Sequence, residues 1–239
     1  MVLSEVETLN GILSIIVISI SIVIGLTIIS KYFKYKQTTL IYIGISWIGI
    51  FTPWLSSAIS FLSVLATNEG LSPESYFIIG GISATVVVYF WTSAFCYLTS
   101  ISKKVEYIMT IETAILEIIY LYFVFTNPLM IGQLTGPVDV QYKAFGALFF
   151  VNLMIIFIST TTIFGLKSLK SEKPEIKLKG KFLLIGAYLF VIGAFLDTAI
   201  QLNLVTLSLV RIILIVSGFA FYCGFVLPNF LKKIFLKES

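Results

Sequence analysis

The chain has 239 residues, 58% of them hydrophobic and 12% charged, where an ordinary soluble domain carries roughly a quarter charged residues. That balance excludes a water-soluble domain as the main body. Histidine is absent, which excludes haem ligation through imidazole, Ser–His catalysis and the zinc-dependent seven-span hydrolases.

Crossing about 30 Å of hydrocarbon takes roughly 20 mostly apolar residues in a helix. Apolar runs of that kind fall at 11–31, 39–65, 76–100, 106–126, 144–166, 182–203 and 207–231. They predict an all-α membrane protein, a single seven-transmembrane-helix bundle over 1–239, multi-pass in the cell membrane and without strands. The first ten residues are acidic rather than basic and no small-residue cleavage site follows, so span 1 is not expected to be a removable signal.

Within the spans, less apolar residues recur at helical spacing. Span 2 carries Ser46, Gly49, Pro53, Ser56 and Ser60, and span 3 carries Thr85, Tyr89, Thr92, Cys96 and Thr99. Span 5 has Asn152, Ser159 and Thr162, span 6 has Gly186, Gly193, Asp197 and Gln201, and span 7 has Ser208, Arg211, Gly218 and Tyr222. Such stripes face protein, because small residues let backbones approach and polar ones find partners across the interface. Cys96 and Cys223 lie inside spans and read as packing residues; two cysteines without histidine make a poor metal site.

The outer connection from Asn127 to Lys143 combines the turn formers Pro128, Gly132, Gly136, Pro137 and Asp139 with the apolar Leu129, Met130, Ile131 and Val138. It either dips into the headgroups as an ordinary loop or folds back as a cap. The inner connection from Lys167 to Lys181 carries Lys167, Lys170, Lys173, Lys177, Lys179 and Lys181. It fixes topology, and a cluster of this kind also suits anionic lipid headgroups or a cytoplasmic protein partner. With Lys31, Lys34, Lys36, Lys103, Lys104, Lys232, Lys233 and Lys237, fourteen of the sixteen basic residues fall on one side of the bundle. The other side holds Glu5, Glu7, Glu69, Glu74 and Asp139, with Lys143. Basic loops stay cytoplasmic, so the N-terminus is expected outside and the C-terminus in the cytoplasm. The net charge of +4 therefore reports topology, not a nucleic-acid partner.

Ionisable residues inside spans are costly and often mark function. Asp197, in a span ending near 203, and Arg211, in a span starting near 207, fall at similar depth beside a short turn. They are expected to pair, either to fix helix register or to floor an outward-facing pocket. Glu117 lies near the middle of span 4, and Glu112 sits about 140° away around that helix. Glu117 then needs an inward partner, for which Asn152 is the candidate, or a proton. The candidate ligand-binding or ion-pair residues are thus Asp197, Arg211, Glu117, Asn152, Tyr89 and Gln201.

No lysine lies within span 7 for a retinal Schiff base, and the spans hold only one aspartate, where an aspartyl protease needs two. No catalytic site, cofactor or metal is expected. Several strings resemble a group of uncharacterised archaeal seven-span membrane proteins: Pro53-Trp54-Leu55-Ser56-Ser57-Ala58-Ile59-Ser60-Phe61, Asn127-Pro128, Gly136-Pro137-Val138-Asp139-Val140, Lys177-Leu178-Lys179-Gly180-Lys181-Phe182, Gly193 with Asp197, and Tyr222 with Leu227-Pro228. The resemblance implies the seven-helix fold and no known activity. The leading expectation is a non-enzymatic receptor or sensor with an outward-facing polar pocket, signalling through a separate partner. A small secondary transporter and a structural subunit of a membrane complex are the alternatives. The topology has a direct check: an impermeant thiol reagent on intact cells should modify Ser72→Cys and leave Ser171→Cys untouched, and equal labelling of both would refute the orientation.

Overall fold

Ser4 starts the first helix. Its hydroxyl accepts the Glu7 N–H at 3.2 Å, and the Glu7 carboxylate accepts the Ser4 N–H at 2.7 Å, so two donors that the helix start leaves free are satisfied reciprocally. The computed structural model describes residues 3–200 and 202–236. From that start α1 runs over Glu5–Tyr35, and Lys36 ends it in the left-handed region with φ 55°.

The second and third apolar stretches are not continuous helices. The second divides into α2 (Thr38–Gly49) and α3 (Thr52–Thr67), bent by 50°. Pro53 is the cause: it has no N–H to give to the Gly49 carbonyl, and its ring crowds that carbonyl. The Thr52 hydroxyl, at 2.9 Å from the Gly49 oxygen, takes over the abandoned acceptor. The third stretch divides into α4 (Pro73–Gly81) and α5 (Ala84–Thr99). Here the adjacent Gly80 and Gly81, poor helix formers, precede the break. The two breaks touch, with Thr52 Oγ1 at 3.2 Å from the Gly80 oxygen and 3.0 Å from Ser83 Oγ.

The remaining helices are α6 (Lys103–Thr126), α7 (Ala144–Leu169), α8 (Pro174–Ala199), α9 (Leu204–Phe225) and the short α10 (Asn229–Phe235). Among the described residues six helical stretches are long and apolar enough to cross a membrane, and the bent α2–α3 pair makes a seventh if counted as one span. This is the build of a multi-pass helical membrane protein. Adjacent packing closes a ring: α1 lies on α2 and α3, α2 on α5, α5 on α7, α7 on α8, α8 on α9, and α9 returns to α1. Helix α6 leans on the outside of α5. Its Ile108, Ile111, Ile115, Ile118 and Tyr122 point away from the bundle, a stripe that hydrocarbon would cover.

Strands were not expected, yet β1 (Gly132–Gly136) and β2 (Asp139–Tyr142) form an antiparallel hairpin turned at Pro137–Val138. The turn formers and the alternating Leu134, Val138, Val140 and Tyr142 make a hairpin whose apolar side chains have the bundle to pack on. Ile131 and Val138 are fully buried, so the segment is a cap on the bundle. Ser60 Oγ donates to the Pro137 carbonyl and accepts the Leu71 N–H at 3.0 Å, tying the turn to α3.

The helix ends also depart from the expected spans. Helix α8 begins at Pro174, so Lys177, Lys179 and Lys181 stand on its first turns, and Lys167 belongs to α7. Proline fits the opening of a helix, where its missing N–H is not needed, and this carried the helix back into the lysine-rich stretch. Helix α9 stops at Phe225 and Pro228 separates it from α10. Two glycines allow a close crossing of α1 and α2: a Cβ on Gly25 would lie 2.8 Å from the Gly44 oxygen, and one on Gly44 would lie 2.6 Å from the Gly25 oxygen. Gly44→Ala should therefore force α1 and α2 apart and cost about 1–3 kcal/mol by thermal unfolding in detergent. Gly218→Ala, whose Cβ would meet only side-chain ends at 3.1 and 3.4 Å, should cost less.

Candidate ligand-binding cavity

Asp197 lies in the last turn of α8, whereas Arg211 lies about two turns into α9. A helical Cα–Cβ bond tilts toward the helix N-terminus. Asp197 therefore leans back into the bundle and Arg211 leans out toward the hairpin, and the two meet with Nη1 2.9 Å from Oδ1. The arginine side chain is 3% exposed and the aspartate 20%.

Each ion has a further partner. Trp54 Nε1 donates to Asp197 Oδ2 at 2.8 Å, and Arg211 Nη2 donates to Asn10 Oδ1 at 2.7 Å. Asn10 Nδ2 then donates to the Val138 carbonyl at 3.1 Å, in the hairpin turn. The guanidinium carbon sits 5.8 Å from the centre of the Trp54 ring, within cation–π range. One network thus joins α1, α3, α8, α9 and the hairpin. Arg211 Nε is buried and has no hydrogen-bond partner among the described residues.

This network forms part of the wall of a partly open cavity of about 100 Å³; one water needs roughly 10–15 Å³ on that measure. The cavity runs from Asp139, Val140 and Tyr142 of β2, past Trp54, Ser57 and Tyr76, to Trp91, Phe157 and Phe190 at the middle of the bundle. Gly49, Thr52, Gly80 and Ser83, at the two helix breaks, form one side. The breaks open this space, because an unbroken α2–α3 rod and α4–α5 rod would bring backbone where the wall now recedes. Ser57 and Tyr76 share a hydrogen bond of 2.6 Å, and Trp91 Nε1 donates to Thr160 Oγ1 at 2.7 Å. Aromatic rings with a few fixed polar groups are what small-molecule sites are made of.

Of the residues singled out in the sequence, Asp197 and Arg211 come together on this wall. Glu117, Asn152 and Tyr89 do not line it. Glu117 Oε2 instead accepts the Thr85 N–H at 2.7 Å, a donor freed by the break before α5, and so caps that half-helix. Asn152 donates to Glu112 at 3.2 Å rather than to Glu117, because those two carboxylates leave α6 in different directions. Tyr89 is 40% exposed on the outer face of α5; the inward line passes through Val88 and Thr92, and Tyr89 is a step of about 100° beyond Val88. In span 5 the buried hydroxyls are Thr160 and Thr161, with Ser159 outward. Gln201 lies outside the described residues. Lys167 Nζ binds the Thr99 carbonyl at the end of α5, and Lys179 pairs with Glu175 at 3.5 Å. Lys170, Lys173, Lys177 and Lys181 are exposed.

Sequence reasoning missed Asn10, Trp54, Ser57, Tyr76, Asp139 and Tyr142 as parts of the site. A signal existed for Trp54: a buried indole N–H usually finds an acceptor, and Asp197 is among the few acids in the spans; Trp47, whose Nε1 is buried without a partner among the described residues, does not follow that pattern. The chain has no significant match among family models, curated proteins or solved structures.

The network makes an asymmetric demand. Arg211→Met should cost about 3–5 kcal/mol, since it strands Asp197. Exchanging the charges, Asp197→Arg with Arg211→Asp, should leave the protein destabilised: the Trp54 N–H would face a cation, and turning the Asn10 amide to meet Asp would set its oxygen against the Val138 carbonyl. Thermal unfolding of the single and double variants measures this, and recovery in the double variant would show that the surrounding donors do not matter.

Proposed function

We propose that the chain is a seven-span receptor or sensor of the cell membrane, with the hairpin and N-terminus outside and the lysine end in the cytoplasm. A small molecule enters from the hairpin side, and a separate protein docked at the lysine end, with anionic lipid heads around Lys170, Lys173, Lys177 and Lys181, receives the signal. The observation that carries this reading is the aromatic cavity under the hairpin, held by the buried Arg211 network. The charge distribution supports the orientation, because basic loops are retained in the cytoplasm.

Packing below the cavity favours reception over passage. Trp91 and Phe157 lie against Phe221, at 5.9 and 6.0 Å between ring centres. Phe221 stacks on Trp47 at 4.0 Å and meets Phe225 at a tilt, 5.0 Å between ring centres. This column packs the interior on the side of the cavity away from the hairpin. Asp197 has both oxygens engaged, one by Arg211 and one by Trp54, which suits a fixed binding wall better than a general base. A small carrier is the second reading, favoured by the two helix breaks facing each other at the cavity, an arrangement secondary transporters use near the midplane.

One cysteine separates the two. With Cys96 and Cys223 replaced by alanine, Ser83→Cys in reconstituted vesicles should react with a membrane-impermeant trimethylammonium thiosulfonate from the hairpin side alone. Reaction from both sides would establish alternating access and the carrier reading. Reaction from neither would refute a cavity open to ligand.

A further inference from the structure

We infer that the cavity takes an organic ammonium: a protonated amine on an aromatic or apolar body, with an oxygen acceptor near the nitrogen. The inference rests on the cavity being a ligand site, and it adds the ligand's charge and chemistry.

The charge balance is the first ground. Arg211 is spent on Asp197 and on the neutral Asn10. Asp139, on the same wall, has the Thr135 hydroxyl at 3.2 Å and no lysine or arginine within salt-bridge distance among the described residues. The wall therefore carries one uncompensated negative charge and no free cation. A carboxylate or phosphate ligand would find no counter-charge there, whereas an ammonium would find Asp139. Asp139 is exposed at the hairpin end of the cavity, where an arriving ammonium can reach its carboxylate.

The lining is the second ground. Tyr76, Trp91 and Tyr142 supply rings, and cations are attracted to the faces of such rings. Around the same end stand Glu5, Glu7, Glu69 and Glu74 against Lys143 alone, a distribution that concentrates cations at the entrance. Arg211 supplies the third ground. It is 2% exposed and lines the cavity, and its Nε lacks a partner among the described residues. An oxygen on the ligand would satisfy that donor.

The test uses three probes of one shape on the full-length protein in nanodiscs, read by tryptophan fluorescence, since Trp54 and Trp91 line the cavity. They are 2-amino-1-phenylethanol, the neutral 1-phenylethane-1,2-diol and the anion mandelate. The amine should bind at least about tenfold more tightly than the diol, and mandelate more weakly than either. Asp139→Asn should bring amine and diol to within about threefold by weakening the amine alone, and Asp139→Glu should restore the preference. Unchanged diol affinity in both variants shows that the cavity is still formed. Equal binding of amine and diol, or tighter binding of mandelate, would overturn the ammonium assignment while leaving the ligand cavity intact. Binding of none of the three would overturn the cavity reading together with it.

Discussion

The structure hangs on a guanidinium placed two turns deep in an apolar bundle. Leaving Arg211 unpaired would cost several kcal/mol, so the surrounding helices must bring it acceptors, and the acceptors come from everywhere. Asp197 comes from α8 and Asn10 from α1. Asp197 recruits Trp54 of α3, and Asn10 recruits the hairpin turn through the Val138 carbonyl. Helix order around the ring, the tilt of α3 and the seating of the cap are thereby bound to one side chain. An apolar side chain at that position would pack as well or better. The polar choice makes sense where uniqueness of arrangement, or a charged wall for a ligand, is what the position supplies.

Pro53 does for space what Arg211 does for order. By ending α2 it turns α3 through 50°, and the residue after it, Trp54, arrives over the guanidinium. The matching break at Ile82–Ser83 has no proline, and it needs outside help from the Glu117 carboxylate on the freed Thr85 N–H. A carboxylate in a span was read from the sequence as a residue in search of a side-chain partner. Its partner is backbone, which no side-chain pattern announces.

The long apolar helices and the facing of Asp197 toward Arg211 were legible because hydrophobic length and charge placement are local properties of sequence. The inward line of α2 and α3, Ser46 to Ser60, was legible for the same reason. Tyr89 failed because the buried face of α5 is centred on Val88, Phe95 and Thr99, and the polar stripe from Thr85 to Thr99 follows only the edge of that face, with Tyr89 just beyond it. Asn152 was assigned by depth alone, and depth does not say which side of α6 a neighbour meets. Asn10 and Asp139 were out of reach. One sits near the start of α1 and the other at the start of β2, and only the ring closure of α1 on α9 with the hairpin folded inward puts them at one site.

The state of the broken backbone bears on what the cavity is for. In carriers, unwound segments at the midplane leave carbonyls and N–H groups that an ion or substrate satisfies. Here the repairs are internal. The Thr52 hydroxyl reaches both the Gly49 and the Gly80 carbonyls, and Glu117 takes the Thr85 N–H. The breaks therefore shape the wall without asking for a ligand. What remains open on the wall lies on side chains near the cap, the exposed Asp139 carboxylate and the unpartnered Arg211 Nε. On the proposed receptor reading, groups so placed would be met by a molecule that enters beneath the hairpin and stops above the aromatic column, whereas a carrier's cargo would have to continue through it.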